Sequence, residues 1–150
     1  MIEKSAKILI TGGSGLVGQN LTERLLNEGY SNLRVNLHKR GVRTVHEGVE
    51  YTHHDLQTYE GCMNATKDVD VVFHLAALKH VPICEDHPQE AIKTNITGTT
   101  NIVNAAIENR VAKVIDVSTD KAVEPLNLYG MTKSVGEKLI IQANDLKIGR

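Results

Sequence analysis

Tryptophan is absent from these 150 residues, and four tyrosines and one phenylalanine are all the aromatics. No apolar run comes near the ~20 residues that a membrane span requires. Cysteine is almost as scarce. Cys62 and Cys84 match neither a C-x-x-C pair nor any metal-ligand spacing, so no metal site is expected. The chain opens Met-Ile-Glu-Lys-Ser, without an apolar signal segment, which predicts a cytoplasmic protein whose thiols stay reduced, buried or idle. An excess of one charge is also missing. Lys and Arg number 17 against 18 Asp and Glu, a net charge of −1, so nothing favours a polyanionic groove or an anionic membrane surface. Nucleic acid and membrane are thereby excluded as main partners. No internal repeat, low-complexity tract or Pro/Gly-rich linker interrupts the chain, which reads as a single domain over residues 1–150. At 41% hydrophobic, the chain has enough apolar material for a core of its own.

What is present is an alternation. Short β-branched apolar runs at Lys7–Thr11, Leu33–Leu37, Glu50–His53, Val69–Leu75 and Lys113–Ser118 predict strands. Between and after them, Gly15–Glu28, Gln57–Ala65, Pro88–Asn109 and Leu128–Ala143 have helical spacing, with Leu21, Leu25 and Leu26 as the inward stripe of the first. Strand and helix in turn make an α/β fold, a Rossmann-like doubly wound parallel sheet of order 3-2-1-4-5. The usual order continues to a sixth strand, which these residues lack, so they read either as a fragment of something longer or as a minimal version whose exposed sheet edge needs cover.

The first strand runs straight into Gly12, Gly15 and Gly18 at G-x-x-G-x-x-G spacing, and a helix opens there. Strand, glycine turn and helix in that order make a dinucleotide-binding turn. The glycines allow a tight bend and a close backbone approach to a pyrophosphate, and the helix N-terminus, with Leu16 and Val17, offers unpaired N–H groups. An acidic residue that would hold the ribose 2′-hydroxyl of NAD is missing after the second strand. His38, Lys39 and Arg40 stand there instead and suit a 2′-phosphate, which favours NADP, with NAD as the alternative. A solvated basic turn would read the same. Asp55 and Leu56 follow the third strand, where the carboxylate either accepts from the adenine amino group or caps the next helix. Leu75, Ala76 and Ala77 supply small residues where a cofactor passes close.

After the fifth strand come Ser118-Thr119-Asp120-Lys121 and then Tyr129-x-x-x-Lys133. Four residues apart on a helix, Tyr129 and Lys133 share a face, so the ammonium favours the phenolate and also reaches a ribose hydroxyl. Asp120 and Lys121 also fit a plain surface ion pair. His53, His54 and His74 read as satisfied structural residues.

With these motifs the chain resembles the extended short-chain dehydrogenase/reductase superfamily, the NAD-dependent epimerases and dehydratases. It is most similar to the inverting UDP-N-acetylglucosamine 4,6-dehydratases of polysaccharide biosynthesis. The resemblance covers nearly the whole chain and is most specific in Ala76-Ala-Leu-Lys-His-Val-Pro82, Asn95-Ile-Thr-Gly98, Ser118-Thr-Asp-Lys-Ala122, Asn127-Leu-Tyr-Gly130 and Thr132-Lys133. It implies that Tyr129 is the base for oxidation at C4 of the sugar and Lys133 its partner and ribose anchor. Thr119 would bond the C4 oxygen, Asp120 would protonate the departing C6 hydroxyl, and Lys121 would remove the C5 proton. It also implies Asn95 near the cofactor and the tyrosine, Lys79 and His80 beside the substrate, and a homo-oligomer. Membrane-bound relatives commonly have methionine where this chain has Tyr129, which aligns it with the soluble branch. The expected function is an NADP-dependent nucleotide-sugar 4,6-dehydratase or its cofactor-binding part. A 4-epimerase, a 4-keto-sugar reductase like GDP-fucose synthase, and a non-catalytic dinucleotide-binding module are the alternatives.

Overall fold

All five strands end at one edge of the sheet, where the following loops gather most of the residues singled out above. The computed structural model describes residues 2–38 and 41–148, with side chains to residue 145. In chain order the elements are β1 (Ile8–Thr11), α1 (Leu16–Asn27), β2 (Leu33–Asn36), β3 (Glu50–Thr52), α2 (Tyr59–Thr66), β4 (Val71–His74), α3 (Val81–Asp86), α4 (Pro88–Ile92), a π-helical turn (Lys93–Thr97), α5 (Gly98–Glu108), β5 (Lys113–Asp116), a 3-10 turn (Asp120–Ala122) and α6 (Leu128–Ile148). All pairings are parallel, in the order β3-β2-β1-β4-β5.

The central strand β1 is buried throughout, which is why it reads as an unbroken apolar run. Its alternate side chains serve two cores. Leu9 joins Val72, Cys62, Ala65, Ile102 and Ala105 on the α2/α5 face. Ile8 and Ile10 join Leu25, Leu33 and Val35 on the α1 face. Helices on both faces of one parallel sheet are the doubly wound architecture, and the order reverses between β1 and β4, so a crevice opens at their carboxyl ends.

The elements differ from expectation at their boundaries. The single helix over Pro88–Asn109 is three consecutive pieces with the π turn in the middle, and the short α3 precedes it. Strand β5 stops at Asp116 rather than Ser118. Helix α2 begins beyond Asp55, capped by Thr58, whose hydroxyl oxygen accepts the Gly61 N–H at 3.1 Å. Both cysteines are free and buried, and burial pushes the Cys62 thiol up to about 12. Among the described residues no helix is long and apolar enough to cross a membrane.

Candidate functional site

The crevice between β1 and β4 is a cleft of about 420 Å³. Its floor depends on Gly12, whose φ of +66° is a left-handed conformation and whose added Cβ would stand 2.8 Å from the Ala76 nitrogen. A Cβ at Gly18 would stand 2.6 Å from the Gly12 oxygen, so turn and helix also meet without room for a side chain. The Gly15 backbone is extended and caps α1 without a side chain, leaving the first amides of the helix for an anion.

Of the residues expected at a cofactor, Gly12, Gly15, His38, Asp55, Leu56, Leu75, Ala76 and Ala77 line this cleft, and Lys79 joins them. Gly18 lies buried under the turn. Leu16 faces a separate recess beside Arg43, and Val17 is exposed. Lys39 and Arg40 lie outside the described residues. His80 is exposed at the start of α3. Asp55 is not the helix cap: its carboxylate accepts the Gln57 N–H at 3.0 Å in a tight turn.

Asn36, Gln57 and His87 also line the cleft and were not singled out from sequence, and His54 and His74, expected as structural residues, line it too. Asn36 has a signal in hindsight, a polar residue inside a strand. Its side-chain oxygen accepts from the His54 N–H at 2.8 Å and its amide donates to the His54 carbonyl at 3.1 Å, which ties the end of β2 to the segment after β3.

Asn95 is only 1% exposed and does not line the cleft. Its side chain makes a reciprocal pair with the Leu78 backbone, accepting at 2.8 Å and donating at 2.9 Å. It also donates to the Thr132 hydroxyl at 3.0 Å. The residue therefore holds the loop after β4 to α6. It sits in the π turn, the kind of local distortion common at functional sites.

Asp120 and Lys121 form the 3-10 turn, with an ion pair of 3.3 Å whose carboxylate is largely solvent-exposed. The Thr119 hydroxyl, donating to Asp120 at 3.1 Å, and the Lys121 ammonium beside it hold this carboxyl below the usual carboxylate range. Gly130 brings the turn against α6. A Cβ there would overlap the Lys121 carbonyl oxygen, so the first turn of the helix, with half-buried Tyr129, packs directly on Lys121. Glu85 of α3 accepts the Leu128 N–H at 2.7 Å and caps the same helix. One turn further along, the Lys133 ammonium lies 3.3 Å from Asp116 at the end of β5, both side chains buried. Neither Tyr129 nor Lys133 lines the glycine-floored cleft; they stand beyond the end of β5.

Residues 8–149 match the family of polysaccharide biosynthesis proteins. An inverting UDP-N-acetylglucosamine 4,6-dehydratase of Campylobacter jejuni is 43% identical over 147 residues, which cover 93% of this chain and 44% of that protein. A UDP-glucose 4-epimerase of Rickettsia bellii is 42% identical over 144 residues, covering 89% of this chain and 42% of that one. Among solved structures, Pen from Bacillus thuringiensis superposes with a TM-score of 0.90 at 36% identity, over 98% of this chain and 48% of its own. MoeE5 in complex with UDP-glucose and NAD superposes with a TM-score of 0.82 at 25% identity, over 91% of this chain and 48% of its own. The chain thus spans less than half the length of the curated relatives it matches. Doubly wound sheet, glycine-floored crevice and sequence match agree, and the chain belongs to the polysaccharide biosynthesis protein family.

Proposed function

We propose that these residues form the nicotinamide-dinucleotide half of a nucleotide-sugar 4,6-dehydratase acting on a UDP-N-acetylglucosamine-type substrate. The observation that carries this reading is the contact at Gly130, which fixes the Asp120-Lys121 turn to the helix bearing Tyr129. An acid, a base and a phenol held on one rigid edge are what elimination across a C5–C6 bond beside a C4 hydroxyl needs. The Campylobacter relative, named as such a dehydratase, supports it.

The cleft fits a dinucleotide, because Gly12 lets the turn pack directly on the Leu75–Ala76 backbone of its wall and Gly15 leaves the α1 amides open. Gly12, Gly15, Leu16, Val17 and Gly18 would hold the pyrophosphate, Asp55 and Leu56 the adenine side, and Leu75, Ala76 and Ala77 the far wall. Lys133 would anchor the nicotinamide ribose. His38 with Lys39 and Arg40 favours the 2′-phosphorylated form, whereas MoeE5 is named with NAD. When bound, the cofactor supplies a reversible hydride acceptor.

The chain's own groups do the proton work. Tyr129 takes the C4 hydroxyl proton, with Thr119 bonded to that oxygen. A ketone at C4 acidifies C5, and Lys121 removes the C5 proton. Asp120 delivers a proton to the leaving C6 hydroxyl. In the free site that carboxyl is held ionised by Thr119 and Lys121. Substrate binding must therefore move one proton from the Lys121 ammonium to Asp120, leaving a neutral amine to take the C5 proton and a carboxylic acid to protonate the leaving hydroxyl, so that the ion pair is restored as water departs. Lys79 and His80 border the sugar, and the chain works as one domain in a cytoplasmic homo-oligomer.

A 4-epimerase is the second reading, favoured by the Rickettsia relative. Incubation with UDP-N-acetylglucosamine and NADP, followed by mass spectrometry, tests the first: a product lighter by one water supports it. A folded, dinucleotide-binding chain that leaves the sugar intact reduces the reading for these residues to a cofactor-binding module, and a folded chain that binds no dinucleotide overturns it. In deuterated water Lys121→Ala abolishes label entry at C5 in a dehydratase, while an epimerase keeps its C4 chemistry.

A further inference from the structure

Asp116 was not singled out by any motif, yet it is the residue on which the Lys133 ammonium rests. The distance from Lys133 Nζ to Asp116 Oδ2 is 3.3 Å, and the two side chains are 4% and 5% exposed. Asp116 ends β5 in register with His74 at the end of β4, so the pair sits at the carboxyl edge of the sheet. The second carboxylate oxygen, Oδ1, is buried and has no hydrogen-bond partner among the described residues. A carboxylate present only to fasten helix to strand is a poor device: buried ion pairs add little stability, and an unpaired buried oxygen subtracts from it. Its negative charge is what the site keeps.

The other ionisable groups facing this spot do not supply that charge. On β4 the His74 ring is enclosed between the Thr11 and Thr99 hydroxyls, at 2.9 and 3.3 Å. On α6, Glu137 accepts the Ser118 hydroxyl. On the 3-10 turn, Asp120 is paired with Lys121.

We propose that Asp116 is a positioning residue that both seats the Lys133 ammonium and cancels its charge under the nicotinamide end of the cofactor, so that oxidised and reduced forms are held with similar affinity. This rests on the reading above that puts Lys133 at the nicotinamide ribose. The oxidised ring carries a positive charge and the reduced ring none. An uncompensated buried ammonium therefore repels the oxidised form selectively. A reaction that lifts a hydride from C4 of a sugar and returns it to C6 of the same sugar needs the cofactor retained in both states. A neutral Lys133–Asp116 pair provides this.

The test is equilibrium binding of NAD and NADP, each oxidised and reduced, to the chain and its variants. In Asp116→Asn the ratio of oxidised to reduced Kd rises by roughly three- to tenfold. Asp116→Glu keeps the parent ratio. A purely structural residue would weaken both forms alike. Lys133→Met shifts the ratio the opposite way, and the double variant returns it toward the parent value, an arm that decides the matter even if Asp116→Asn fails to fold. An unchanged ratio in folded Asp116→Asn, or in Lys133→Met, overturns the proposal. A parent chain that binds none of the four dinucleotides defeats the cofactor reading itself, and this inference falls with it.

Discussion

The Thr11 hydroxyl and the Nδ1 atom of His74 stand 2.9 Å apart at the ends of neighbouring strands, both buried. The Thr11 oxygen already accepts the Leu75 and Ala76 N–H groups at 3.0 and 3.2 Å, so its proton goes to Nδ1. His74 must then carry its own hydrogen on Nε2, which donates to Thr99 at 3.3 Å, and Thr99 donates to the Asn95 carbonyl at 2.8 Å. One proton order satisfies every member of this chain, and it requires a neutral imidazole. It runs from the cleft wall at Ala76 to the residue that grips α6.

Burial, with smaller and opposed contributions from Asp116 and Lys133, pushes His74 down from 6.5 to about 4. A lowered value in the folded state means that the unfolded chain binds the extra proton first. The stabilisation is therefore complete above about pH 6.5 and lost as pH falls toward about 4. Between about pH 7 and 5 the loss amounts to roughly 2 kcal/mol. Urea denaturation at those two values measures it. His74→Gln removes the slope; the same slope in the variant would show that another group carries it.

Replacing Asn95 by Leu deprives the Leu78 N–H and carbonyl of their partners and releases Thr132. Each stranded backbone group costs about 1–3 kcal/mol. Amide hydrogen exchange at Leu78 is the direct readout, and it accelerates by one to two orders of magnitude while β1 amides exchange as before. Uniform acceleration throughout the sheet would mean that Asn95 serves global stability rather than this junction.

The fold was legible because β1 and most of β4 are buried and appear as apolar runs, and β2 keeps Leu33 and Val35 despite Arg34 and Asn36, while α1 and α5 keep a periodic stripe. The glycine turn was legible because its backbone approach admits no other residue at Gly12. What stayed hidden has short or distant causes. Helix α3 is six residues long, too brief for a period to register. The π turn around Asn95 shifts the helical phase without changing composition. The Asp116–Lys133 pair joins residues 17 positions apart, brought together only when α6 packs on β5.

Gly12→Ala forces a side chain into a left-handed backbone and against the Ala76 nitrogen, a combined cost of about 2–5 kcal/mol. The thermal midpoint falls, and dinucleotide affinity falls by more than tenfold because the turn must open. A variant that keeps its parent affinity would detach Gly12 from the cofactor site.

Gly130→Ala separates the two halves of the proposed chemistry without replacing a polar side chain. The new methyl overlaps the Lys121 carbonyl oxygen, and Pro125 packs against the same spot, so the 3-10 turn must move away from α6. Relief by displacing an exposed turn costs less than crowding a core, about 1–3 kcal/mol. The Asp120-Lys121 turn then shifts relative to the first turn of α6, which carries Tyr129, while the cleft at Gly12 and Ala76 is untouched. The expected result is a folded chain with parent dinucleotide affinity and sugar turnover lowered by at least 100-fold, the scale on which misplacing reacting groups by an ångström acts. Equal losses in cofactor binding and turnover would instead place the strain in the sheet edge as a whole and remove Gly130 from its role as spacer.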